Sequence, residues 1–321
     1  MAGVGLVLGA GGTLGHAYHT GTLAALAEAT GWEPRAADIV VGTSAGSGVA
    51  AALRAGFSAG DLAARQTGRQ LSPEGRRLAA RLGPPVNIEM PRASSRQWIA
   101  SAELLRRALL RPGSVRAGAV VAAALPEGEV PTEVIAAGIR RLHGDRWPEQ
   151  PTWICAVRLD DGERVVFGRE GSPAVSLADA VAASCAIPAV YHPVTLHGRR
   201  YVDGGVHSVT NLDLVAGLGL DLVIVVVPMA GRPEAILGSL DMPIRAAAAA
   251  RLATETSRVR RQGTPVVALQ PNRADVEAMG INLMDWRRRA RVTHQAQASA
   301  REWLDRPANR QRLESILQGS R

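Results

Sequence analysis

Residues 6–21 read LVLGAGGTLGHAYHTG, five glycines and two histidines directly behind an apolar run. The run, Val4–Leu8, has the length and continuity of a strand buried on both faces. The glycines at 9, 11, 12 and 15 make a turn before a helical stretch. Ala17, Gly21, Leu23, Ala24 and Ala27 share one side of that helix, and Gly31 stands where a left-handed residue closes it. The same strand, turn and helix recur at once: DIVVG at 38–42, TSAG at 43–46, and SGVAAALRAG at 47–56, closed by Gly56. Two such units in succession begin a sheet with helices on both sides.

Farther out, strands are expected at Ile39–Val41, Trp153–Leu159, Arg164–Gly168, Leu222–Val227 and Val266–Leu269, with Tyr201–Asp203 reached through a turn at His197–Gly198. Short apolar runs alternating with helical stretches predict an α/β fold, a three-layer α/β/α arrangement with a mixed, mostly parallel central sheet. The main domain is expected over 4–230. Inside it, 57–120 reads as a basic helical cap or insertion, because 54–116 holds twelve arginines against four acids and a Gly-Pro-Pro break at Gly83–Pro85. Residues 231–321 read as a C-terminal extension, one strand and helices packed on the same domain. RRRAR at 287–291 lies on a helix running toward Leu304.

The formal net charge is +8, and all 37 basic residues are arginine. Without lysine there is no P-loop lysine, no Schiff base to pyridoxal phosphate and no Ser-x-x-Lys pair. Cys155 and Cys185 lie far apart inside apolar runs, which argues for packed thiols rather than a disulfide or zinc framework. The N-terminal MAGVGLVLGAGG has no basic n-region and meets glycines rather than a cleavage site, so no signal peptide is expected. The longest uncharged apolar stretches, such as LVIVVVPMAG from Leu222, fall short of the roughly 20 residues that span a bilayer. A cytoplasmic protein is expected. Aromatic residues are 3% of the chain, too few to build stacking platforms for nucleic acid.

The glycine turn admits three readings. A dinucleotide site needs a third glycine where Leu14 stands, and an acid at the end of the second strand, where the chain reads Gly42-Thr43-Ser44. A phosphate loop needs the absent lysine. The third reading is an oxyanion loop, and the second unit supports it. GTSAG is a G-x-S-x-G between strand and helix, the setting that holds a nucleophilic serine, Ser44, on a strained elbow. Gly42 and Gly46 leave room for so tight a turn. The plainer alternative is a Ser44 that only caps the helix. The backbone N–H groups of Gly11 and Gly12, at a helix N-terminus, and of Ala45, after the serine, are candidate oxyanion donors. As base, any of seven histidines is available, yet a nucleophile on the second strand comes too early for the α/β-hydrolase order. The better partner is Asp203 in RRYVDGGVHSVTN, ending a strand before Gly204 and Gly205, although Asp-Gly alone is an ordinary turn.

These blocks, in this order, resemble the patatin-like phospholipase family. The chain carries a glycine-rich loop after the first strand, with Gly9 and Gly15 as its outer glycines, then GTSAG, then Asp203-Gly204-Gly205. AASCAIPAVYHPV at 182–194 resembles the family's approach to its aspartate, and the blocks span Leu6 to Leu214. The resemblance implies a patatin-like fold and a serine acyl hydrolase cleaving carboxylic esters of lipids, of phospholipase A or lysophospholipase and esterase type. It makes Ser44 the nucleophile and Asp203 the base, a dyad working through an acyl-enzyme without histidine. It implies no metal or organic cofactor. The loop departs from the family at Leu14, where many members carry a cation, and at Ala10, which replaces a glycine. A non-catalytic lipid-binding or regulatory protein of the same fold and a nucleotide-binding module stay open as other classes.

His16 and His19, three apart on one helical face, have metal-ligand spacing but no evident third ligand. His207 is close to Asp203 in sequence, within reach of the site mouth. AELLRRALL at 102–110 combines leucines with paired arginines, the pattern of a helix lying on an anionic membrane or of a solvated face over the core.

Overall fold

The computed structural model describes residues 3–85, 100–111, 113, 115–309, 311 and 313. Strands β1 (Val4–Leu8), β2 (Ile39–Thr43), β3 (Thr152–Arg158), β4 (Arg164–Phe167), β5 (Val194–Leu196), β6 (Arg199–Asp203), β7 (Leu222–Val226) and β8 (Val266–Leu269) form one mixed sheet. β1 lies between β2 and β7, with β3 beyond β2 and β8 beyond β7, all five parallel. β4 and β6 run antiparallel to β3, and β5 antiparallel to β6. β2 extends two residues past the apolar run, because the ladder to β3 continues through Gly42↔Ile154 and Thr43↔Cys155. β5 is a three-residue strand without a buried residue, so it lacks the apolar signature that marks the others.

The helices are α1 (Gly12–Thr30), α2 (Ala45–Arg54), α3 (Ala59–Thr67), α4 (Pro73–Leu82), α5 (Ala102–Leu110), α6 (Ala117–Ala124), α7 (Glu133–His143), α8 (Leu177–Ser184), α9 (Pro233–Ile236), α10 (Met242–Arg261), α11 (Arg273–Met279) and α12 (Arg289–Leu304). The expected cap region thus holds α3 to α6, with residues 86–99 outside the described chain. No helix among the described residues is long and apolar enough to cross a membrane.

Strand side chains alternate between two cores, which is why the parallel strands are apolar throughout. Leu6, Leu8, Val40, Ile154, Ile224 and Val226 face the core shared with α1, α2, α7 and α8. Val7, Val41, Cys155, Val223 and Val225 face the opposite core with α10. Val157 and Val202 continue that second face under α5 and α6. α1 departs from a one-sided helix. It is buried almost all round, since α12 lies along its outer side and Gly21 packs where a side chain would overlap the Thr293 carbonyl. Gly31 closes α1 at φ 69°, the left-handed cap expected there.

One feature of the ladder positions the site. β4 pairs with Ile154–Val157 of β3, β2 with Thr152–Cys155, and β6 with Ala156–Arg158. Since β4 overlaps both partners, β2 and β6 share the other edge of β3 and run toward each other along it. Thr43 ends opposite Cys155 and Asp203 ends opposite Ala156, so two strand ends meet at adjacent rungs.

Candidate active site

Ser44 follows β2 directly and stands at φ 53°, ψ −121°, a conformation costly for a residue with a Cβ. Helix α2 starts at the next residue and comes in so close that a methyl on Gly46 would overlap the Leu8 carbonyl. The strained turn is held by several hydrogen bonds. The Ser44 N–H donates to Ser184 Oγ at 2.9 Å, and Ser184 Oγ donates on to the Cys155 carbonyl at 2.6 Å. The Ser44 carbonyl accepts from the Ser47 N–H at 2.8 Å, Ser47 Oγ at 2.6 Å and the Cys185 thiol at 3.3 Å. The Ser44 hydroxyl makes no cap to α2. The turn therefore presents the side chain rather than using it.

Asp203 is 5% exposed and Ser44 3%. The Asp203 N–H donates to the Ala186 carbonyl at 2.9 Å, and its Oδ1 accepts from the Gly205 N–H at 2.7 Å. Gly204 lets the chain turn directly over β3, since a Cβ there would overlap the Cys155 carbonyl. Burial pushes the Asp203 carboxyl from its ordinary 3.8 up to about 6, against the opposing pull of hydrogen bonding to the Ser44 side chain and the Gly205 N–H. A carboxylate with that basicity, beside a serine hydroxyl, is suited to accept its proton near neutral pH.

The glycine loop crosses the end of β1 next to this pair. Its outer amides are occupied: Gly9 donates to Val226, Ala10 to Val209, Leu14 to Leu283 and Gly15 to Gly11. The N–H groups of Gly11, Gly12 and Ala45 have no hydrogen-bond partner among the described residues. Gly12 and Ala45 line a cavity of about 230 Å³ together with Ser44, whereas Gly11 is not part of its wall. Leu14, at the position of the missing loop cation, is fully buried. His19 secures the loop from below, its Nε2–H donating to the Gly9 carbonyl at 2.8 Å. Burial pushes its pKa down to about 3, so the ring is neutral.

The cavity over Ser44 is mostly apolar, walled by Leu62 of α3, Leu82 of α4 and Ile135 and Ile139 of α7. Sequence reasoning missed the residues that frame Ser44. Ser184 and Cys185 lie in the quoted 182–194 block, but their roles depend on contacts some 140 residues away. Cys155 is a buried core thiol as expected. Cys185 is only partly buried and lines the cavity, with burial pushing its thiol up to about 12. His16 lines the cavity as well. His207 does not reach it; its pKa is pushed down to about 3 by burial and by Arg164, Arg116 and Arg251. Among the described residues no group of three or more His, Cys, Asp or Glu is placed to hold a metal ion.

The strained serine after β2, the buried aspartate ending β6 and the glycine loop after β1 all fall within residues 6–216, and it is this stretch that the family model for patatin-like phospholipases matches. It covers about two-thirds of the sequence, and the chain belongs to the patatin-like phospholipases, a family of lipid acyl hydrolases.

Proposed function

We propose that the protein hydrolyses carboxylic esters of lipids through an acyl-enzyme on Ser44, with Asp203 as the only base. The observation that carries this reading is the buried Asp203 carboxyl hydrogen-bonded with the Ser44 side chain, with Ser44 itself lining a mostly apolar cavity. In the ionised state Asp203 takes the hydroxyl proton as Ser44 Oγ attacks the ester carbonyl. The oxyanion that forms accepts from the unpartnered N–H groups of Gly12 and Ala45, with Gly11 beside them. Collapse of the tetrahedral adduct expels the alcohol, which takes the proton from Asp203. Water then attacks the acyl-enzyme, giving its proton to Asp203, and the returning proton restores the Ser44 hydroxyl as the fatty acid leaves. The apolar wall of α4 and α7 takes the acyl chain.

Peripheral contact with an anionic bilayer from the cytoplasm belongs to the same reading. Leu109 and Leu110 of α5 are 80% and 66% exposed near Arg106 and Arg107, while Leu104 is buried, so that helix offers both a core side and a solvent side. Leu237, Leu240 and Ile244 are exposed where α9 leads into α10, and Ile281 stands exposed three residues before the cavity-lining Met284.

The test is labelling with a fluorophosphonate and mapping of the modified peptide. Label on Ser44, absent in Ser44→Ala and slowed at least about a hundredfold in Asp203→Asn, is expected. Folded protein that takes no label at Ser44 would overturn the reading.

A further inference from the structure

The glycine loop cannot hold its own shape. Its donors at Gly11 and Gly12 have no hydrogen-bond partner among the described residues, and glycine has no side chain to restrain the backbone. Two segments hold it from outside. On one side is the turn after β7. The Gly9 N–H donates to the Val226 carbonyl at 3.0 Å, and the buried Pro228 ring lies so close that a Cβ on Gly11 would come within 2.9 Å of it. On the other side is the stretch after α11. The Leu14 N–H donates to the Leu283 carbonyl at 2.9 Å, and a Cβ on Gly12 would meet Met284 Sδ at 2.9 Å.

One buried side chain reaches both supports. Arg245, in the first turn of α10, is 1% exposed. Its Nη1 donates to the Pro228 carbonyl at 2.9 Å and to the Ala230 carbonyl at 3.3 Å. Its Nη2 donates at 3.8 Å to the sulfur of Met279, the residue that ends α11. Its Nε donates to Asp241 Oδ2 at 2.6 Å, and Ser239 Oγ holds the other oxygen of that carboxylate. An ion pair taken this far out of water contributes little net stability, because desolvating the charges offsets their attraction. What the guanidinium supplies is geometry, since one rigid planar fork keeps two separate segments at a fixed spacing. Oxyanion donors depend on such spacing, because each is effective only at about 2.7–3.1 Å from the oxygen it stabilises.

We infer that Arg245 is a positioning residue for the oxyanion loop: through Pro228 and Met279 it keeps the Gly11 and Gly12 N–H groups aimed at the developing charge without touching substrate. The kinetic part of this inference rests on the hydrolase reading above; the mechanical part, that Arg245 fixes the loop, does not.

The test compares wild type with three variants. Asp241→Asn/Arg245→Met removes both charges together, so that neither is left buried alone. Arg245→Lys keeps the charge without the fork, and Pro228→Ala trims the ring beside Gly11. Turnover of a soluble p-nitrophenyl ester is measured per active site, counted with a fluorophosphonate. In the double variant kcat is expected to fall about tenfold or more with KM within about twofold of wild type, lysine recovering only part of the loss. The acid limb of the pH profile should stay in place, since Asp203 is untouched. Pro228→Ala should lose kcat in the same way, and adding it to the double variant should cost little more, the two acting along one line of contact. In a Ser44→Ala background, hydrogen exchange of peptides covering 9–15 and 279–284 should quicken about tenfold in the same variants while β2 and β3 keep the wild-type rate. An unchanged kcat in the double variant, a wild-type kcat with lysine, or exchange that quickens across the whole sheet overturns the inference. If the double variant fails to fold, Arg245→Lys and Pro228→Ala decide it by the same readouts. A wild type with no turnover and no label at Ser44 removes the hydrolase reading alone, and the exchange measurement still decides whether Arg245 fixes the loop.

Discussion

Replacing Asp203 by asparagine should remove activity and stabilise the fold, and both effects should follow one titration. The Asp203 carboxyl is raised from 3.8 to about 6 because burial disfavours its ionised form. At about 1.36 kcal/mol per pH unit, ionising it inside the folded protein costs about 3 kcal/mol once the pH is well above 6. The sign follows from proton binding. Between roughly pH 4 and 6 the folded chain holds a proton that the unfolded chain releases, so wild-type stability attributable to this group is complete below 3.8 and is lost as the pH rises through 6. Asparagine keeps an oxygen for the 2.7 Å bond from the Gly205 N–H and never ionises. Its NH₂ group brings a polar burial of its own, so 3 kcal/mol is an upper limit. For a chain of this size the gain corresponds to a rise of about 5 °C in melting temperature at pH 8. The assay is scanning calorimetry of both proteins between pH 4.5 and 8, beside the pH profile of wild-type kcat/KM. The melting-temperature gap should open with rising pH from about 4, and its slope should fall to half at the pH, about 6, where activity is half-maximal, leaving the gap flat above about 7. A gap independent of pH, or one that levels off well away from the pH of half-maximal activity, would refute the assignment of the base to a buried, ionising Asp203.

Three further outcomes follow from the geometry. Ser184→Ala removes the hydroxyl joining the Ser44 N–H to the Cys155 carbonyl. It should cost about 2 kcal/mol in urea unfolding and about tenfold in kcat with little change in KM, and an unchanged kcat would show that the elbow does not need this brace. Gly46→Ala drives a methyl into the Leu8 carbonyl. A loss of about 3 kcal/mol or an insoluble product is expected, and a variant within 1 kcal/mol of wild type would contradict the packing. Leu14→Arg restores the family's loop cation at a fully buried position. It should lower the melting temperature sharply without raising turnover, and a stable, faster enzyme would show that the side chain escapes the core.

The two strand–turn–helix units could be read from sequence because each signal is local: a continuous apolar run, a glycine-bearing turn and a helical period within about thirty residues. Ser44 and Asp203 stand out for the same reason, each marked by the residues beside it. What joins them is not local. Nothing in GTSAG or DGG shows that β2 and β6 end on the same edge of β3, because pairing register is a property of three distant segments. The burial of α1 on all sides was missed since its outer cover, α12, comes from residues nearly three hundred positions later. Arg65 and Arg289 looked like members of basic clusters, the usual mark of a solvated surface, and only the closure of α3 and α12 over α1 brings them to one wall of the Ser44 cavity.

The junction of β2 and β6 on β3 has a consequence for how such a protein can change. The spacing of Ser44 and Asp203 is measured by two successive rungs of one strand, Cys155 and Ala156. A one-residue slip there would displace one partner by about 3.3 Å, beyond hydrogen-bond reach. Much of the cavity wall, by contrast, comes from the long excursion between α2 and β3 that carries α3, α4 and α7. Chemistry and selectivity are thereby written in separate parts of the chain. Exchange of the excursion for one of different length should retune which acyl chains are accepted while leaving the acid limb of the pH profile where it was.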